Sequence, residues 1–271
     1  MPDCSPRKSR TGSADSRLIF LLGTLDSKRK SMSVSTNGSK QSALTLINAS
    51  QIESEELTGL SDFEVNACKT ILRWAQEFLC KPNPQLGREG PVCPFTQPSL
   101  HHRLFWLTVR RGSSIDLEES SQVVDAYREL FLELEPRTES DSLLKTILIV
   151  FPEVSAVAAR TELEALQKKL KPDFVKRGLM LGQFYEGCPE PGLWNDSFHP
   201  LQSPLPLLAI RNMVPSDFPF LHGKRGNADM LIAYLNRFGK NIPREVKQLM
   251  VEALESSDLT LQPKESTNRE R

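Results

Sequence analysis

Between residues 55 and 255 the apolar positions switch between a helical period and short continuous runs. That alternation is expected of a sheet packed with helices. A first helix is predicted after Ser61. Ser61 and Glu64 make an S-x-x-E capping box, and Ala67, Ile71, Trp74, Ala75 and Phe78 follow at helical spacing before Pro82 and Pro84. Leu104–Val109 (LFWLTV) reads as a strand, and Leu117–Leu134 as a helix with Val124, Tyr127, Leu130 and Phe131 on its buried face. Thr146–Phe151 (TILIVF) has the unbroken apolar character of a central strand. A third helix carries Ala159, Leu163, Leu166 and Leu170 and is expected to stop before Pro172.

Two further strands, Leu179–Tyr185 and Leu207–Met213, flank a loop of about twenty residues rich in proline. Two helices close the domain. Asn227 caps the first, Gly239 occupies its C′ position, and Pro243 starts the second. The predicted class is α/β or α+β, a single domain over 55–255 with a mixed, mostly parallel sheet of about four strands. The last two strands are expected to pair antiparallel. Residues 1–50 are rich in Ser, Thr, Lys and Arg, without a periodic apolar face, and read as a disordered leader. Met32 is an alternative start to Met1. Residues 256–271 read as a disordered tail.

Composition narrows the function classes. The chain has 271 residues with 34 basic and 34 acidic side chains. Residues 1–40 carry eight Lys or Arg against three Asp or Glu, so the rest of the chain is net −5. A mildly acidic body argues against nucleic acid as a partner. Five cysteines, widely spaced and without C-x-x-C, point to reduced thiols and a cytoplasmic location rather than a disulfide framework. No apolar run reaches the 18–20 or so residues that span a bilayer, so no membrane partner is expected.

The chemistry-bearing candidates gather around the last two strands. Cys93, in a V-C-P-F turn, is a candidate nucleophile or metal ligand, and equally a small buried hydrophobe. His101 and His102, adjacent before a strand, point to opposite faces and do not share a metal. Gln183 places an amide at a sheet end between Gly182 and Phe184. His199, held before Pro200 in the long loop, is a candidate metal or heme axial ligand, or a loop histidine bonded to backbone. Arg211 interrupts the apolar strand LLAIRNM. A guanidinium there needs a carboxylate, a phosphate or a propionate-like ligand, and Glu186, Asp196 and Asp217 are the internal candidates. Phe184, Tyr185, Trp194 and Phe198 could wall an apolar slot beside it.

The combination GPVCPF, LIVFP, GLMLGQF and SPLPLLAIRNMVPSDFPFL, across Gly87–Phe238, resembles a bacterial domain-of-unknown-function family, which implies no established activity. A more distant resemblance is to the YqcI/YcgG-type heme-dependent N-hydroxylases, which act on arginine-like substrates. Cys93–Phe95, Ile149–Pro152, Leu163 with Leu166, Gln183–Phe184, His199-Pro200 and Arg211 follow that family's order of features. It implies heme as cofactor, His199 as its ligand, and a small-molecule enzyme of bacterial specialised metabolism. The alternatives are a non-catalytic ligand-binding or scaffold protein and, more weakly, a cysteine-dependent hydrolase or transferase built on Cys93.

Overall fold

The computed structural model describes residues 20–22, 31–34, 43–55, 57, 59–138 and 140–258. The chain divides into two units, Met1–Thr45 and Leu46–Arg271. In the first, strands β1 (Phe20–Leu22), β2 (Ser31–Val34) and β3 (Ala43–Thr45) form an antiparallel sheet in the order β1-β2-β3. These strands lie within the segment expected as a leader. SMSV alternates polar and apolar residues, a strand period in a segment without a helical one. The rest of residues 1–42 lies outside the described residues.

The second unit begins earlier than the expected residue 55. Strand β4 (Ile47–Asn48) pairs antiparallel with the next strand of the sheet, and helix α1 (Ala49–Glu53) buries Ala49 and Ile52. Asn48 and Gln51 close a capping box on α1, so two polar residues in an otherwise unremarked segment start a helix. Helix α2 (Asp62–Trp74) has the predicted Ser61–Glu64 box and runs on through a π turn, Ala75–Leu79. Helix α3 (Thr96–His101) has no counterpart among the predicted elements. It places His101 and His102 at a helix end, just before the strand that starts at Phe105, with ring centroids 5.2 Å apart.

Next come β5 (Phe105–Val109), α4 (Leu117–Glu133) and β6 (Thr146–Val150), close to their predicted bounds. A turn of helix α5 (Ala156–Ala158) and a π turn (Ala159–Leu163) lead into α6 (Glu164–Lys176). Here the expected stop at Pro172 is corrected: the helix passes through it. Beyond the proline, Phe174 and Val175 are buried, and burying two large apolar side chains offsets one missing backbone hydrogen bond. Strands β7 (Leu179–Phe184) and β8 (Leu207–Asn212) pair antiparallel as predicted, and α7 (Ala228–Phe238) and α8 (Arg244–Asp258) follow. Helix α8 reaches Asp258, within the expected tail; residues 259–271 lie outside the described residues. Gly239 has right-handed φ −51°, not the left-handed C′ geometry. It is needed for space, because a Cβ there would meet the Leu235 carbonyl oxygen at 2.5 Å.

The main sheet is mixed, in the order β4-β5-β6-β8-β7, with five strands rather than four. Only β5 and β6 are parallel, so the expectation of a mostly parallel sheet is corrected. The cause is the return of β8 between β6 and β7, antiparallel to both. Helices α1 and α2 cover the β4–β5 side of one face, in a core built from Ile52, Cys68, Ile71, Leu107 and Val150. On the other face Thr108 meets Tyr127 of α4 at 2.8 Å, and Ile147, Ile149, Leu208 and Ile210 are wholly buried. A separate cluster joins Met180 and Met213 to Phe218, Met230 and Tyr234 at the C-terminal helices.

Cys68 sits in the first core with no exposed surface. Burial, with a smaller push from Glu64, raises its thiol pKa to about 12. A raised thiol pKa favours the protonated form in the folded state. Its stabilisation is complete below pH 9, the ordinary thiol value, and is lost as pH climbs toward about 12. Urea melts across this window should show wild type losing stability more steeply than Cys68→Ala. Parallel pH profiles would contradict a buried neutral thiol.

Candidate functional site

Registry across the sheet puts three rows of side chains on the face carrying α2. From β5 to β7 they read Phe105–Thr146–Arg211–Met180, then Leu107–Leu148–Ala209–Gly182, then Val109–Val150–Leu207–Phe184. The middle row ends in the two smallest side chains. A Cβ added at Gly182 would touch only Phe184, at 3.5 Å. The hollow is therefore written into the register: large residues end the rows on either side, with almost nothing between.

Over this hollow lies a cleft of about 760 Å³. Leu148, Ala209 and Gly182 form its floor. Trp74 and Leu79 wall it from α2 and the π turn, and Cys93, Phe95, Thr96 and Ser99 from α3 and the preceding turn. The flank of α6 (Glu164, Gln167, Lys168 and Lys171) lies opposite, with Phe220 and Arg225 beside it. Trp74 stands edge-on to Phe184 at 5.7 Å, which fixes the apolar end.

Charge is concentrated in the lining. Lys145, Arg160, Lys168, Lys171, Arg211 and Arg225 face Glu164 and Glu190, six cations to two carboxylates, in a body that is acidic overall. Several are already engaged. Arg225 pairs with Glu190 at 2.5 Å, and Glu164 accepts from the Tyr185 hydroxyl. Lys171 Nζ donates to the carbonyls of Phe220 (2.8 Å) and Arg225 (2.7 Å), tying the turn before α7 to α6. Burial pulls the Lys171 pKa below the ordinary lysine value, opposed by Glu190.

Arg211 makes a bidentate pair with Asp217, at 2.7 Å from Nη1 and 2.6 Å from Nη2, and Nη1 also donates to the Asn212 carbonyl at 3.0 Å. Asp217 further accepts the Val214 N–H at 2.8 Å. Burial works against the Arg211 charge. Asp217 outweighs it, with a smaller contribution from Cys93, and the guanidinium is held above its ordinary pKa. Of the internal partners considered, Asp217 is therefore the one used. It lies in the helical turn after β8, not in the long loop.

Four of the residues expected at the site line the cleft: Cys93, Gln183, Phe184 and Arg211. Tyr185, Trp194, Phe198 and His199 do not. Tyr185 is buried, its pKa raised by burial and by Glu164. Trp194 is 55% exposed and packs on Gly87, where a Cβ would come within 2.7 Å of the tryptophan Cβ. Phe198 is buried against Phe78, centroids 6.2 Å apart. His199 is half-buried, its Nδ1 3.4 Å from the Glu190 carbonyl oxygen. The expected heme set therefore does not converge on one slot, and its histidine faces backbone. Among the described residues, no three His, Cys, Asp or Glu side chains cluster to hold a metal ion. Nor is any helix there long and apolar enough to cross a membrane.

Sequence reasoning missed Trp74, Ser99, Thr146 and Lys171 as cleft residues. By its spacing Trp74 is a core position, and the other three are ordinary polar positions. The strand register brings Thr146 there and the packing of helices on the sheet brings the others, and no local motif carries either.

Fold and cleft define a mixed α/β domain with a ligand-sized hollow on the half of the sheet its N-terminal helices leave open. The chain belongs to the family described as a domain of unknown function, DUF6875, whose family model matches residues 68–249. The match runs from α2 into α8 and takes in the cleft. No curated protein and no solved structure matches the chain.

Proposed function

We propose that this is a small-molecule-binding domain whose ligand is an organic anion with an apolar body. The observation that carries the reading is the cleft itself, about 760 Å³, with an apolar floor and an excess of cations in its walls. Binding sites for small molecules have volumes of about 300–1,000 Å³ and the same mixture of apolar lining and a few placed polar groups. The charge excess disfavours the arginine-like substrates of the N-hydroxylase resemblance. That resemblance also asks for an imidazole in the cleft, and His199 is outside its lining; no step of the proposed function runs through heme. The test is a thermal-shift series with decanoate, phenylacetate and decylamine. The acids should raise the melting temperature by several degrees at about a hundredfold excess over Kd, equivalent to about 2.7 kcal/mol. Stabilisation by the amine alone would overturn the reading.

A second reading, an enzyme with Cys93 as its reacting thiol, is favoured by one observation: Cys93 lines the cleft together with Arg211. Cys68 and Cys188 are buried, and Cys80 is outside the lining. Iodoacetamide should therefore alkylate Cys93 in the free protein and do so more slowly with decanoate bound, with Cys80 unaffected by the ligand. Equal protection of both thiols would point to a global change and against a Cys93 site.

A further inference from the structure

Ser99 is 1% exposed, and its hydroxyl oxygen has no hydrogen-bond partner. A serine within a helix ordinarily returns its hydroxyl to the carbonyl four residues back or points it to water. Ser99 does neither, although its own N–H is 2.9 Å from that carbonyl, Phe95. A buried hydroxyl left unpaired is costly, and an isolated case in a well-satisfied structure calls for a reason. The backbone locates it. The Ser99 carbonyl accepts the Leu104 N–H at 2.9 Å, and the Leu104 carbonyl accepts the Thr146 N–H at 2.9 Å. Thr146 faces Arg211 across β6 and β8. Ser99 therefore stands beside the β5 end of the only one of the three rows that carries polar side chains, the row of Thr146 and Arg211.

Arg211 has capacity left at the other end. A guanidinium carries five N–H donors, and Asp217 and Asn212 take three of them. Its side chain is 30% exposed while that of Asp217 is 3% exposed, so Arg211 is the more open member of the pair. Between the two, Thr146 lines the cleft, its Oγ1 donating to the Ile210 carbonyl at 3.2 Å.

We infer that Ser99 and Arg211 together read the head of the ligand, an oxyanion, whose apolar tail lies over Leu148, Ala209 and Gly182 toward Phe184 and Trp74. The inference rests on the cleft being the ligand site and adds the head group, the orientation and Ser99 as the residue that sets specificity. Arg211 supplies charge to any anion. The Ser99 hydroxyl donates to an oxygen at one fixed depth, which separates an acid from an apolar molecule of equal length.

The probes are decanoate, decyl phosphate and 1-decanol, titrated by calorimetry into wild type, Ser99→Ala and Ser99→Thr. Ser99→Ala should weaken decanoate about tenfold, the loss of one charge-assisted hydrogen bond. It should cost the uncharged 1-decanol less than it costs decanoate, and should leave the melting temperature of the free protein equal to or above that of wild type, because alanine removes a buried unpaired hydroxyl from a helix. Ser99→Thr should keep most of the acid affinity. Decyl phosphate bound more tightly than decanoate assigns the head to a phosphate; the reverse assigns a carboxylate. Equal decanoate affinity in wild type and Ser99→Ala would overturn the role of Ser99 and leave the cleft reading standing. A wild type that binds none of the three probes would remove the cleft reading and this inference with it.

Discussion

Replacing Arg211 with methionine should lower folding stability by about 3–5 kcal/mol, the loss expected when one partner of a buried ion pair is removed. The carboxylate left behind is the reason. Asp217 is 2% exposed, and without the guanidinium its oxygens keep only the Val214 N–H as a partner. Methionine matches the aliphatic stem of arginine, so packing changes little and the deficit is electrostatic. Replacing both residues, as Arg211→Met with Asp217→Leu, should recover most of the loss, because the apolar pair leaves no buried charge. Urea denaturation of the wild type, both single variants and the double variant gives the coupling energy directly. A single-variant loss below about 1 kcal/mol would mean that Asp217 reaches water and that the pair is a surface one.

Ala209→Phe should abolish binding at the site with little effect on the fold. Ala209 is half-exposed on the cleft floor between Leu148 and Gly182, so a phenyl ring enters the hollow rather than the core. Affinity for decanoate and 1-decanol should fall together by about a hundredfold or more, which is about 2.7 kcal/mol. Stability in the absence of ligand should stay within about 1 kcal/mol of wild type. Tight residual binding would move the ligand to another surface.

What is legible in the sequence is what neighbours in the chain decide. The Ser61–Glu64 box, the apolar run of β6 and the Asn227 cap act over three or four residues, and each element forms where they place it. Pro172 shows the limit. Taken with its near neighbours alone it stops a helix, and the burial of Phe174 and Val175 two and three residues later overrules it. The site is only partly legible for a related reason. Phe184 and Tyr185 are adjacent and look like one aromatic wall, but successive strand residues leave on opposite faces. Phe184 enters the cleft, and Tyr185 goes to Glu164. For His199, Trp194 and Phe198 as well, closeness in sequence is not closeness to the cleft. The residues that do converge on Arg211, among them Cys93, Ser99 and Thr146, come from positions some 65 to 120 apart in the chain.

The outer edge of the sheet has a consequence for how copies of this chain meet one another. The Met213 N–H donates to the Gly178 carbonyl, so alternate residues of β7 turn inward to β8 while Leu179, Leu181 and Gln183 turn their backbone groups outward. An open row of that kind invites another strand to add on, the route to edge-to-edge aggregation. In the middle of the row stands Gln167 of α6, its side-chain amide 2.8 Å from the Leu181 carbonyl. One glutamine thus imitates the donor of an absent sixth strand. A strand adding at the β7 edge would have to displace that amide to reach the Leu181 carbonyl.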